Sequence, residues 1–263
     1  MIYRSWGEGC LMITQPAHAW LAGELTDLWG NEVFQPPRPQ SAVVLATRLH
    51  DIGWVVWEKA PRLGEDGQPV NFLGLTFSET VPIWKAAVAH VSSIDPYAAL
   101  LVNMHAVTVY RQRLQRGTDA IAERSAVEAE LERLMREQEV LRAGLAHHDD
   151  YRQVSGTGFS DRAYRWLRVC DLLSLTLCSD VMPHEGEIEN VPWNTQERFT
   201  TLRYQNPRPF ELILDPFPFP EKSLRLTIQA RALDKVAYPN QTAFQAALKK
   251  AQWITQPVSI SAG

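Results

Sequence analysis

Residues Val43–Gly53 read VVLATRLHDIG. Val43, Ala46 or Thr47, and His50 fall on one stripe of a helix at spacings of three and four residues, and Gly53 stops the helix. His50 and Asp51 therefore stand side by side at the end of an apolar helix, where neighbouring side chains diverge by about 100°. An imidazole and a carboxylate in that position share one chemistry: each is a ligand for a divalent ion once it gives up its proton.

Partners for the pair lie outward in both directions. Upstream, Thr14 or Gln15 caps a helix with Pro16 in its first turn, and Gly30-Asn31 ends it. Ala22, Leu25 and Trp29 follow His18 at helical spacing there, so His18 points inward with them. Downstream, Thr80 and Pro82 open a helix with Ile83, Ala86 or Ala87, and His90 on one face. Asp95-Pro96 opens another, in which Ala98, Leu101 or Val102, and His105 share a face. Ser160 or Asp161 caps a later helix whose inner face carries Tyr164, Leu167, Asp171 and Leu175. An unpaired carboxylate on such a stripe costs several kcal/mol. A metal held by His18, His50, Asp51 and Asp171 would compensate it and use the imidazoles, with positions left for water and substrate.

The remaining chain supplies the frame. MIYRSW and CLMIT form a hairpin about Gly7 to Gly9, and EVFQPPRPQ is a Pro-rich loop before a helix starting at Ser41. Residues 54–77 read as irregular, and Trp54, Trp57, Phe72 and Phe77 are placed to line a pocket over the metal. Residues 118–147 form a long charged helix packed along the seam Val127, Leu131, Leu134, Leu141 and Leu145. Beyond residue 184, FTTLRYQ, FELILD, SLRLTIQA and ITQPVSI read as short strands, with one helix capped by Asn240. The expected fold is mainly α: a helical bundle over residues 1–183, with the N-terminal hairpin joining it to a small β-rich (α+β) subdomain over residues 184–263.

Composition narrows the function classes. The 263 residues are 45% hydrophobic with a formal net charge of -4, which does not suit a nucleic-acid binder. Three cysteines, Cys10, Cys170 and Cys178, without a CxxC pair disfavour a disulfide framework or a thiolate zinc site. The start, MIYRSWGEGCLMI, has no signal-peptide pattern, and no stretch reaches the roughly 20 apolar residues of a membrane span. A cytoplasmic protein with a small-molecule substrate is expected, with no nucleic-acid or membrane partner and a homo-oligomer left open.

The order H…HD…D on successive helices resembles the HD superfamily of metal-dependent phosphohydrolases, and VCDLLSL around Asp171 is similar to its closing motif. HDIGW, then W-x3-P (Trp57, Pro61), G-x-P-x-x-F (Gly67–Phe72) and DPYAALLVNMH (Asp95–His105) resemble an uncharacterised bacterial HD-like family along the whole chain. The resemblance implies His18, His50, Asp51 and Asp171 as ligands of a first metal, Asp51 as a bridge to a second, and His105 ahead of His90 and His147 as the second metal's ligand. It implies hydrolysis of a small phosphorylated or anionic compound by a metal-activated water, with one or two ions of Mn, Mg, Zn or Fe. Arg168, one turn before Asp171, would neutralise charge, and Asp51 would serve catalysis as well as the metal. Trp54, Trp57 and Gln15 are the expected substrate contacts. Two departures weaken a phosphodiesterase reading: Trp54 stands where many relatives have lysine, and no glutamate follows the HD pair before Glu58. A di-iron oxygenase and a catalytically silent binding or scaffold protein are the other readings of the same residues.

Overall fold

The computed structural model describes residues 1–117, 121–194 and 198–263. Both ends of the chain build one sheet. Its strands are β1 (Ile2–Trp6), β2 (Gly9–Ile13), β3 (Glu185–Pro192), β4 (Phe199–Gln205), β5 (Glu211–Asp215), β6 (Ser223–Leu233) and β7 (Gln252–Ala262). They lie in the order β1-β2-β6-β7-β5-β4-β3, with β5 and β7 parallel and the other neighbours antiparallel.

This overturns the expected mainly α bundle: the protein is α+β, with a seven-stranded mixed sheet. Long-range pairing is the reason. The N-terminal hairpin joins the C-terminal sheet as expected, Cys10 and Met12 registering against Leu233 and Arg231, but the result is one large seven-stranded sheet rather than a small appendage. Strands β6 and β7 run eleven residues each, longer than their short apolar cores suggest. Strand β3, EGEIENVP, carries too many charges to read as a strand locally.

The helices are α1 (Gln15–Leu28), α2 (Gln40–Leu49), α3 (Trp54–Glu58), α4 (Phe77–Ser92), α5 (Pro96–Arg116), α6 (Ile121–Leu145), α7 (Thr157–Cys178) and α8 (Gln241–Lys250). Helices α1, α2, α5 and α7 pack on one another, and α1 and α7 also meet strands of the sheet. One apolar core spans both layers: Leu11 and Ile13, Leu21 and Leu25, Leu101, Leu173 and Leu177, and Ile188, Leu212 and Ile260.

Arg4 ties the layers together. Its buried guanidinium, on β1, donates to the carbonyls of Thr176, Leu177 and Ser179 at the end of α7, and to Asn206 Oδ1 beyond β4. A cation there satisfies carbonyls that no helical N–H can reach and complements the negative end of the helix dipole.

Several boundaries differ from the sequence expectation. Thr76, not Thr80, caps α4: its side chain accepts from Glu79 N while Glu79 returns a bond to Thr76 N, and Pro82 lies inside the helix. Helix α7 starts at Thr157, ahead of Ser160. The stretch after Gly53 is less irregular than expected, holding α3 and a 3-10 turn at Phe72–Gly74. Of the long charged helix expected over 118–147, residues 118–120 lie outside the described residues; α6 buries Val127, Leu134 and Leu145.

Candidate metal centre

Three helices and one turn bring the polar groups together. His18 sits in the first turns of α1, after Thr14 caps it by accepting from Ala17 N. Helix α2 ends at Leu49, so His50 and Asp51 stand in the turn that follows. That turn corrects the expectation that the two side chains point apart: His50 Nε2 and Asp51 Oδ2 are 3.5 Å from each other. Gly53 lets the turn abut α4, because a Cβ there would run into the Ile83 carbonyl oxygen. His105 projects from α5 and Asp171 from α7.

The distances describe one cluster. His18 Nε2 is 2.8 Å from Asp51 Oδ2 and 3.9 Å from Asp171 Oδ1. His50 Nε2 is 3.3 Å from Asp171 Oδ1, and His105 Nε2 is 3.9 Å from Asp171 Oδ2. The imidazoles pack edge to face in a row, with ring centres 5.2 Å apart for His18 and His50 and 4.9 Å for His50 and His105. Two sets of ligand atoms are grouped closely enough for an ion: His18, His50 and Asp51, and His50, His105 and Asp171. These buried groups could hold a divalent metal ion.

The outer hydrogen bonds orient the rings. His50 Nδ1 donates to the Thr47 carbonyl at 2.8 Å, so Nε2 is the nitrogen turned to the carboxylates and the one a metal would take once its proton leaves. That Nε2 is fully buried, with Asp171 Oδ1 at 3.3 Å and Asp51 Oδ2 at 3.5 Å and no well-aligned acceptor among the described residues. A metal ion suits this buried nitrogen. His18 Nδ1 meets Ser174 Oγ at 2.7 Å, and Ser174 Oγ donates to the Asp171 carbonyl at 3.1 Å. When Nδ1 carries the ring proton, this hydroxyl accepts from it, and Nε2, 2.8 Å from Asp51 Oδ2, is the nitrogen presented to a metal. His105 Nδ1 faces Tyr164 Oη at 3.4 Å.

Charge follows the same geometry. Burial disfavours a charged His50, yet Asp51 and Asp171 outweigh it and hold its pKa well above the ordinary value. Burial likewise opposes ionisation of Asp51 and Asp171, and the imidazoles, His50 foremost, hold both below the usual carboxylate range. His105 goes the other way: burial lowers it to about 4, so it is neutral near pH 7.

His18, Asp51, His105 and Asp171 form the floor of a cleft of about 370 Å³, which the fully buried His50 does not line. Gln15, Trp54 and Arg168 line it, as do Phe72, Leu75 and Trp84. The Gln15 carboxamide oxygen is buried there without a partner among the described residues. Trp57 does not line the cleft; it packs edge-on to Trp54 at 5.9 Å and turns its indole N–H toward Glu79. His90, expected on an inward face, is exposed, because Trp84, Ala87, Val88 and Val91 set the buried face of α4. His147 is exposed and His148 stacks on Tyr151, outside the cluster. Ser174, Arg113 and Arg116 escaped the sequence reading, and Tyr164 was read only as an inner-face residue of its helix. Only Ser174, three residues after Asp171, carried a signal: a lone hydroxyl on the ligand's own face.

The fold and site define an α+β protein with a buried histidine–aspartate cluster at the base of a cleft. The chain belongs to the family described as protein of unknown function (DUF3891), whose model matches residues 1–235. No curated protein and no solved structure matches it. No helix among the described residues is long and apolar enough to cross a membrane.

Proposed function

We propose that the protein is a metal-dependent hydrolase of a small phosphorylated or anionic compound, built on the HD-superfamily ligand pattern. The observation that carries this reading is the buried His50 Nε2, set by the Thr47 carbonyl among two carboxylates, with His18, Asp51, His105 and Asp171 beside it opening onto the cleft. His18, His50, Asp51 and Asp171 would hold the first ion. His50 offers one lone pair and cannot serve both ligand sets at once, so a second ion would rely on His105 and a shared carboxylate. When bound, a divalent ion supplies an activated water and positive charge against the departing oxygen.

The chain's own groups do the rest. Asp51, shared by His18 and His50, stays ionised and anchors that end of the site. Gln15 Oε1 is available to accept a hydrogen bond from water on the floor. Arg168 makes no ion pair among the described residues and stands one turn from Asp171, where its fork suits a phosphoryl or carboxylate group. Trp54, Phe72 and Trp84 narrow the water around the reacting group.

A phosphatase and phosphodiesterase substrate panel on manganese-, zinc- or iron-loaded protein tests this. Turnover that Asp51→Ala abolishes, and for which Arg168→Gln raises KM about tenfold, is expected. Turnover unchanged in Asp51→Ala, or none with any of these metals, overturns it. The aromatic walls and Trp54 in the lysine position also suit an iron oxygenase; a coloured, oxygen-consuming iron form would favour that second reading.

A further inference from the structure

The cleft does not end at the metal-ligating cluster. Along α5, His105, Thr108, Val109, Gln112, Arg113 and Arg116 all line it, a stripe at spacings of three and four residues. Arg116 is eleven residues beyond His105 on one helix, about 16 Å away at 1.5 Å per residue. The floor therefore carries histidines and carboxylates while the far end carries guanidinium groups.

Those arginines differ in how far they are committed. Arg113 donates to the Leu75 carbonyl at 3.2 Å and to Glu123 at 3.1 Å. Arg116 is exposed and has no ion-pair partner among the described residues. Basic side chains in the last turn of a helix ordinarily serve its dipole. That role does not require them to line a cleft leading to a buried ligand cluster, as Arg113 and Arg116 do. The lining is otherwise largely apolar, with Phe72, Leu73 and Leu75 from the segment after α3 and Leu172 and Leu175 from α7.

We propose that the cleft takes an elongated compound with anionic groups at both ends: one at the floor beside Arg168, the other held by Arg116 with Gln112, and an apolar spacer between. This rests on the cluster at the floor being the reaction site, and it adds a remote specificity site at Arg116. Arg113, pinned by Glu123 and Leu75, shapes that end and adds field rather than a free hydrogen-bonding fork.

Alkane-α,ω-bisphosphonates of increasing length, with the matching monophosphonates, test it by calorimetry on manganese-loaded protein. A preference for bisphosphonates over monophosphonates that peaks at a phosphonate separation of about 12–16 Å is expected. Arg116→Gln should weaken the best bisphosphonate about tenfold while leaving the monophosphonate and the metal content unchanged. Equal binding of bisphosphonates and monophosphonates at every length, or an equal effect of Arg116→Gln on both, overturns the proposal. An α,ω-dicarboxylate series alongside separates a phosphate-selective far end from a general anion site. Repeating the series without metal keeps the two readings apart. Loss of the length preference together with the metal supports both. A preference that survives metal removal upholds the Arg116 site and counts against the floor as a metal centre.

Discussion

Ser174 shows how much of the site rests on single atoms. Its hydroxyl holds the Nδ1 edge of His18 and so orients the ring with Nε2 toward the centre. Ser174→Ala should therefore weaken metal binding about 10- to 100-fold while leaving the fold intact, read by chelator competition and circular dichroism. The pH response of the metal-free protein follows from the same cluster. A raised His50 pKa stabilises the folded chain below the ordinary value of about 6.5, and that contribution is lost as pH rises through the raised folded value. The lowered Asp51 and Asp171 contribute above about pH 4 and lose their contribution as pH falls through their folded values. His105, lowered to about 4, opposes this below about pH 6.5, so chelated protein should have its highest thermal midpoint near pH 6.5 and fall on the alkaline side as His50 loses its proton, and added metal should reduce that alkaline loss. At this scale the sequence was most legible: an HD pair closing an apolar stripe has few ordinary explanations. His90 was misread because Trp84, Val88 and Val91 rotate the buried face of α4 away from it. Arg116 was unreadable because a cation in a last helical turn looks like a solvated end.

Elements were legible where their signals are local. Asp95-Pro96 marked the start of α5, and Asn240 that of α8, because each supplies a side-chain acceptor for an N–H of the first turn. The start of α4 was missed because its cap depends on Thr76 and Glu79 acting reciprocally. Arg4 makes a prediction that belongs to this scale. Arg4→Met removes four hydrogen bonds that join β1 to the end of α7 and to Asn206, and leaves their acceptors buried. A loss of about 3 kcal/mol in urea unfolding is expected. Gly53→Ala should cost about 2 kcal/mol or more and loosen metal binding as well, because the added Cβ forces the HD turn off α4.

The whole molecule was least legible, for a physical reason. Nothing local in CLMI or SLRLTIQARAL says that Cys10 will register with Leu233. The helices come first and dominate the reading, while the strands declare themselves only as partners. The sheet has a consequence for the chain after residue 235, where the family match stops. Strand β7 lies between β6 and β5, registered to β6 from Gln252 through Ser261. Removing residues 236–263 should therefore abolish the cooperative thermal transition rather than trim a tail; a truncated chain that still melts cooperatively would show that the sheet closes without β7.

All of these claims converge on whether the buried cluster holds an ion. The direct measurement is elemental analysis of protein reconstituted with manganese, iron or zinc, paired with an anomalous-scattering map of its crystals. The account predicts at least one ion per chain, within ligand distance of His50 Nε2 and shared with His18, Asp51 and Asp171. A reconstituted protein with no bound ion, and with these side chains joined only by hydrogen bonds, would contradict it.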